Sequence, residues 1–255
     1  MRFASLGSGS RGNATLVEAG RTRVLVDCGF SVTEVERRMA RLGRGPAELD
    51  AILVTHEHSD HIAGVTRLAR RYRVPVWSTA GTAAALGIDG IGDVPVHRFS
   101  GHESFAIGDL QVDPFPVPHD AREPSQFVFG DGNVRIGVLT DIGAPTDHVR
   151  RCLDGCQALL LECNHDPVML AEGAYPPALK ARVGGRLGHL SNAQAGDLLG
   201  SLDTARLQHV AAAHLSDANN TPELARGALA AALGCDPAWV AVAGQAGGLG
   251  WRDVS

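Results

Sequence analysis

The sequence predicts an α/β fold, and three observations carry that prediction. Short β-rich apolar runs alternate with helical stretches from one end of the 255-residue chain to the other. The composition, 44% hydrophobic and 20% charged, is that of an ordinary globular protein with enough apolar residues for a sizeable core. No linker, low-complexity tract or clean internal repeat interrupts the pattern, so residues 1–255 are expected to form a single domain.

Taken in order, residues 3–6, 14–18 and 22–26 read as strands. The segment Ser8-Gly9-Ser10-Arg11-Gly12-Asn13 between the first two is glycine-rich, and its backbone N–H groups suit an anion. It matches neither the dinucleotide fingerprint nor the P-loop spacing, so a tight turn with no ligand fits it at least as well. A helix follows at 32–42, then a short buried strand at 51–54, a helix at 62–72, a strand at 74–77 and a helix at 81–86. Strands at 110–117, 125–129 and 134–138 follow, with Asp131-Gly132-Asn133 as a hairpin signal between the last two. A helix at 146–152 leads to a strand at 158–161, helices at 177–183 and 192–199, a strand at 210–213, a helix at 222–233 and a last strand at 240–242. Asn192 and Thr221-Pro222 resemble helix starts, a capping side chain and a proline at the first position.

Charge and cysteine usage narrow the function classes. The net charge of −5 argues against binding nucleic acid through overall charge. No apolar run approaches the roughly eighteen residues of a membrane span, and the N-terminus lacks a signal-peptide pattern. The five cysteines, Cys28, Cys152, Cys156, Cys163 and Cys235, show no Cys-x-x-Cys spacing and read as reduced thiols of a cytoplasmic protein. Arginine clusters at 37, 38, 41 and 44 and at 67, 70, 71 and 73 fall on predicted helices and read as solvated faces. Lys180, Arg182 and Arg186 are open to either a solvated or a binding role.

The chemistry is concentrated in Thr55-His56-Glu57-His58-Ser59-Asp60-His61, directly after the strand at 51–54. Imidazole and carboxylate at this density are the ligand set of zinc and its first-row neighbours, and without an ion they would leave polar atoms poorly satisfied. The spacing is not His-Glu-x-x-His, because Asp60 stands four residues after His56. On extended backbone His56 and His58 point the same way and can grip one ion. Asp60 and His61 fall where the chain turns into a helix and can serve a second, about 3.5–4 Å away. Three further candidates, His119, Asp141 and His214, each follow an apolar strand and supply a third ligand, a bridging carboxylate and a final imidazole.

This set resembles the metallo-β-lactamase superfamily, which implies a four-layer αββα sandwich with a dinuclear site at one edge. By that resemblance His56, His58 and His119 bind one metal, Asp60, His61 and His214 bind the other, and Asp141 bridges them. Asp27, in Leu25-Val26-Asp27-Cys28-Gly29, matches a structural aspartate near the site. The best-known true β-lactamases carry cysteine at the position of Asp141, which argues against lactam hydrolysis. His58 and the chain length argue against the flavodiiron branch. His119 and Asp141 stand 22 residues apart, too few for the arm of RNase Z, and Asp141 and His214 stand 73 apart, too few for the extra domain of RNase J-like nucleases.

Gly188-His189-Leu190-Ser191-Asn192 is similar to the RNase Z loop whose histidine acts in catalysis, and Glu162 to the acidic residue that orients it. Over nearly the whole chain the sequence most resembles the YycJ/WalJ family of small bacterial metallo-hydrolases. The segments at 7–13, 55–61, 140–143, 162–166, 188–192 and 214–220 carry that likeness. It implies 5′-exonuclease activity on double-stranded DNA.

The implied mechanism uses two divalent ions, Zn or Mn with Fe also compatible, and a metal-bridging hydroxide as nucleophile. Asp60 would aim the hydroxide, and His189, poised by Glu162, would protonate the leaving oxygen. A second expectation is a small cyclic phosphodiesterase resembling PhnP, and a third, from another class, a metal-bound regulatory or binding protein without turnover. The sequence leaves the oligomeric state open. His97, His102, His148, His165 and His209 read as ordinary histidines, with pocket lining the open alternative for His165 alone.

Overall fold

A computed structural model describes residues 1–87 and 90–255. The N-terminal strands are β1 (Arg2–Gly7), β2 (Ala14–Ala19), β3 (Thr22–Val26), β4 (Ala51–Leu53), β5 (Val76–Ser78) and β6 (Val96–Arg98). Among them lie α1 (Val32–Arg41), α2 (Ser59–Ile62), α3 (Val65–Tyr72) and α4 (Ala80–Leu86). The chain continues through β7 (Phe105–Ile107), β8 (Leu110–Pro116), β9 (Ser125–Gly130), β10 (Arg135–Leu139), α5 (Asp147–Leu153), β11 (Ala158–Glu162), α6 (Pro167–Glu172), α7 (Pro177–Val183) and α8 (Asn192–Gly200). It ends with β12 (His209–Ala213), α9 (Pro222–Leu233), β13 (Ala241–Val242) and β14 (Leu249–Asp253).

Two seven-stranded sheets result, ordered β14-β1-β2-β3-β4-β5-β6 and β13-β12-β11-β10-β9-β8-β7. Each is antiparallel at one end and parallel at the other. The switch falls between β2·β3 and β3·β4 in the first sheet, and between β9·β10 and β10·β11 in the second.

Strand alternation builds the layers. Val24, Val26, Ala51 and Leu53 point into a core shared with Phe127, Phe129, Ala158, Leu160, Ala211 and Ala213 of the other sheet. The intervening Leu25 and Ile52 pack outward against Val35 and Met39 of α1 and Leu68 of α3. Leu159, Leu161, Val210 and Ala212 pack outward against Val149, Leu198 and Leu229 of α5, α8 and α9. The order helix, sheet, sheet, helix is the expected αββα sandwich.

The chain turns sharply where the parallel strands end. Asp27 (φ 60°), Asp141 (φ 39°) and His214 (φ 54°) follow β3, β10 and β12 and adopt left-handed backbone, sparsely populated outside glycine and most tolerated by short polar residues. All three belong to the region described below.

Four expectations are corrected. The helix expected at 62–72 starts at Val65 as α3, separated from the short α2, because Asp60 O and His61 O accept from the backbone N–H of Asn13 and Cys28, and Gly64 N donates to Cys28 O. The start of α8 is capped by Ser191, which forms a capping box with Gln194, and Asn192 is its first residue. Arg38 is buried, not solvated: its Nη1 donates to Leu6 O at 2.7 Å and Gln245 O at 2.9 Å. Strands β6, β7 and β14 and helix α6 were not expected. Among the described residues no helix is long and apolar enough to cross a membrane.

Candidate metal centre

The histidine motif leaves β4 as extended backbone and enters α2 at Ser59. The rings of His56, His58 and His119 converge there, with centroids 4.5 Å, 4.9 Å and 4.9 Å apart. His61 and His214 lie on the other side, with Asp60 Oδ2 between them at 3.5 Å from His61 Nε2 and 3.4 Å from His214 Nε2. Asp141 reaches both groups. Its Oδ2 contacts His61 Nε2 and lies 3.8 Å from His56 Nε2, while its Oδ1 lies 2.8 Å from His214 Nδ1. All seven candidate ligands named from sequence therefore meet in one place, within the ligand-atom separations a metal ion needs.

Hydrogen bonds fix which nitrogen each ring offers. Thr55 Oγ1 donates its proton to Asp27 Oδ2 at 2.8 Å, so it accepts from His56 Nδ1 at 2.9 Å and leaves His56 Nε2 with a free lone pair. His61 Nδ1 donates to Asp27 Oδ2 at 2.7 Å, His119 Nδ1 to Gly188 O at 2.9 Å, and His214 Nδ1 to Glu162 Oε1 at 3.1 Å. Imidazoles held this way by carboxylates and carbonyls are the usual support for metal ligands. His58 Nδ1 stands 3.2 Å from His119 Nε2, two ring nitrogens turned toward one point.

The unsatisfied atoms test whether a metal belongs here. His56 Nε2 is buried without a hydrogen-bond partner, and the buried oxygens of Asp141 meet only the imidazole nitrogens of His61, His214 and His189. Such atoms are costly when left unpaired and lie where an ion would sit, so the donor set fits divalent metal binding.

Protonation follows the same geometry. Burial holds His56 well below the ordinary histidine value, so it is neutral. Burial pushes His61 and His214 the same way, but the facing carboxylates, Asp141 foremost, outweigh it and hold both well above that value. Burial raises Asp60, yet hydrogen bonds from His214 and His61 hold it well below the carboxylate range.

His189 closes the cleft. Its Nδ1 lies 2.8 Å from Glu162 Oε1 and 3.1 Å from Asp141 Oδ1. Burial lowers its pKa, but Glu162 and Asp141 overcome that and raise it to about 9, while burial of Glu162 is outweighed by His189, leaving the carboxyl at about 2. Glu162 Oε2 accepts from the backbone N–H of Ile142 (2.9 Å) and Leu190 (3.1 Å). The register Glu162↔Ala213 between β11 and β12 sets this carboxylate beside His214. The cleft, about 330 Å³, runs between Ser10 of the glycine-rich loop and Leu179 and Arg182 of α7.

Some features lie outside the sequence-based expectations. The glycine-rich loop is a support: Ser8 Oγ accepts from His214 N at 2.8 Å, and Asn13 Nδ2 donates to Asp60 Oδ2 at 3.2 Å and lies 3.0 Å from His61 Nε2. Its polar side chains so close to two glycines were the available signal. Glu162 supports His214 as well as His189, which only strand register reveals. His165 lines a separate depression behind α7 with Lys180 and Ser191, away from the cleft. Arg182 lines the cleft, whereas Arg186 is exposed and contributes its backbone, which packs on Gly143.

Comparison with known proteins agrees with this architecture. Residues 22–210 match the family described as "Beta-lactamase superfamily domain". The chain is 37% identical over 229 residues to "Exodeoxyribonuclease YycJ" of Bacillus anthracis, covering 89% of this chain and 86% of that one. It is 34% identical over 228 residues to "Exodeoxyribonuclease WalJ" of Streptococcus pneumoniae, covering 88% and 85%. Among solved structures, the metallo-β-lactamase-fold protein YhfI of Bacillus subtilis superposes with a TM-score of 0.74 at 16% identity, covering 99% of each chain, a likeness of fold. A likeness this long to two relatives, on a scaffold of this layering, settles descent: the chain belongs to the β-lactamase superfamily, in the family of the YycJ and WalJ proteins.

Proposed function

We propose that this chain is a metal-dependent phosphodiester hydrolase that acts as a 5′-exonuclease on DNA. Two divalent ions would be held, one by His56, His58 and His119 and the other by Asp60, His61 and His214, with Asp141 in reach of both groups. Zn and Mn suit this mixed imidazole and carboxylate shell, and Fe is compatible with it. Bound divalent ions supply Lewis acidity toward phosphate oxygens and lower the pKa of water toward neutrality.

The chain's own residues do the rest. Asp60 lines the cleft with its Oδ2 committed to His61, His214 and Asn13, which leaves Oδ1 to orient the attacking water. His189 is the general acid. Its Nδ1 proton is donated to Glu162, so the second proton of the imidazolium sits on Nε2, and the facing Glu162 carboxylate favours keeping it there. That proton passes to the departing oxygen, and the Glu162 carboxylate holds the ring in the orientation that delivers it.

The observation that carries this reading is the pair Glu162–His189 aimed across the same cleft as the metal-ligand cluster. Hydrolysis of esters with poor leaving groups calls for such an acid. DNA is taken as the substrate because both matched relatives are named exodeoxyribonucleases.

The test uses 5′-labelled duplex DNA, a cyclic ribose phosphodiester and a chromogenic diester, each with Mn or Zn. Release of nucleotides from the 5′ end, with the cyclic diester turned over poorly, is the expected outcome. Preference for the cyclic diester would reassign the protein to small-molecule chemistry, and no turnover of any diester would end the enzyme reading.

A further inference from the structure

The cleft has one feature that the hydrolytic reading leaves unused. Among the described residues that line it, Arg182 alone carries a permanent positive charge. Its Nε donates to Asp120 Oδ2 at 2.6 Å, and its two terminal nitrogens engage no partner among the described residues. The side chain is 63% exposed, so this cation is tethered by one edge and open at the other. A guanidinium held this way presents two parallel N–H groups, the geometry that matches a phosphate.

Its position relative to the metal ligands is set by the same aspartate. Asp120 Oδ1 lies 3.6 Å from His119 Nε2 and 3.7 Å from His58 Nε2, while Oδ2 holds the arginine. The guanidinium therefore stands on the far side of one carboxylate from the histidine nitrogens, further out along the cleft.

The backbone makes the tether rigid. Asp120 N donates to Leu187 O at 3.0 Å, and His189 N donates to Val183 O at 2.8 Å. Gly188 fits because a Cβ there would overlap the carbonyl oxygens of Arg182 and Val183. The backbone that carries Arg182 at the end of α7 and the loop that carries His189 are thus tied together, so the anchor and the proposed acid share one support.

We propose that Arg182, oriented by Asp120, anchors the phosphate next to the scissile one and so makes a polynucleotide backbone, rather than an isolated phosphodiester, the preferred substrate. This rests on the nuclease reading and adds a residue that recognises substrate without touching the bond that breaks. Arg182 acts by binding, so its loss falls on KM.

The experiment is a chemical cycle with the Mn-loaded protein and Arg182→Gln. Three 3′-labelled duplexes are compared: one unmodified, one with a neutral methylphosphonate directly 3′ to the first scissile linkage, and one with a 5′-hydroxyl in place of the 5′-phosphate. Arg182→Gln is expected to raise KM for the unmodified duplex about tenfold to a hundredfold, the scale of a charge-assisted hydrogen bond, with kcat within about threefold. One of the two modifications should cost the wild type a similar factor and the variant less than about twofold, the signature of direct coupling. Arg182→Lys should recover part of the loss, since it restores charge but not the paired donors. Equal penalties in wild type and variant, or a fall in kcat with KM unchanged, would overturn the assignment while leaving the nuclease reading intact. A wild type that cleaves no DNA would overturn both.

Discussion

Glu162 and His189 are joined by a 2.8 Å contact between Oε1 and Nδ1, and the same oxygen lies 3.1 Å from Nδ1 of His214. One buried carboxylate therefore orients the proposed acid and a proposed metal ligand together, while its other oxygen is filled by two backbone N–H groups. Glu162→Gln cannot satisfy both sides, because its amide nitrogen must face either the backbone donors or the imidazole N–H groups. It is expected to lower kcat at least about a hundredfold and metal affinity about tenfold to a hundredfold. Measuring kcat at saturating metal alongside metal affinity checks this; a loss confined to one of the two would mean the shared oxygen is not shared in function.

His189 and His58 separate acid chemistry from metal holding. His189→Ala is expected to keep its metal content and lose most turnover, about a hundredfold to ten-thousandfold. His58→Ala should lose metal. Elemental analysis of the purified variants decides, and equal metal loss in both would show that His189 is misassigned.

Gly188 tests the rigidity of the loop that carries His189. A methyl group there would overlap the carbonyl oxygens of Arg182 and Val183, so Gly188→Ala must displace backbone next to the acid. A displacement of about 1 Å is worth roughly a hundredfold in rate. The expected outcome is that loss in kcat with the far-UV circular dichroism spectrum unchanged. Wild-type kcat would mean that the loop yields without moving His189.

Glu18, remote from the site, governs acid stability. Its carboxylate accepts from Arg2, Arg23 and Arg44 at 2.8, 3.0 and 2.7 Å. Burial raises its pKa, but the Arg44 and Arg2 hydrogen bonds outweigh that and leave it below the usual 4.5. A pKa depressed on folding gives stability that is present above about 4.5 and lost as pH falls through the folded value. Glu18→Gln is expected to cost on the order of 2 kcal/mol at pH 7, less than the roughly 3–5 kcal/mol of a fully buried pair because the arginines are partly exposed. Urea midpoints of both proteins should converge as pH drops below 4.5. A constant gap down to pH 2 would refute the linkage.

The candidate ligand set was legible in sequence because metal chemistry restricts residue type, and each member follows an apolar run, β4 of one sheet or β8, β10 and β12 of the other. His56, His58, Asp60, His61, His119, Asp141 and His214 are brought together in overlapping clusters, as the resemblance implies. Helices α7 and α9 were legible to the residue because Pro177 and Thr221-Pro222 mark their starts. Strands β6 and β7 were not, since three residues give too few alternations to register. Strand β14 reads Leu-Gly-Trp-Arg-Asp, and only its pairing with β1, at the opposite end of the chain, makes it a strand. Arg38 looked like a surface residue because nothing near it in sequence reveals the carbonyls of Leu6 and Gln245 that it satisfies.

The hydrogen bond from His214 N to Ser8 Oγ spans 206 residues, and it bears on when the centre comes into being. Closing that separation needs the first hairpin, β12 and everything between them in register, so the centre is among the last parts of the molecule to assemble. A nascent chain that has emerged as far as His119 carries five of the seven proposed ligands but lacks Asp141, His214 and the supporting Glu162. Metal should therefore act on the finished fold alone: in stopped-flow experiments saturating Mn or Zn should slow unfolding and leave the refolding rate unchanged. Binding of the ion then serves as a timestamp for the completion of folding, set by a serine hydroxyl near the N-terminus and a backbone N–H 206 residues further on.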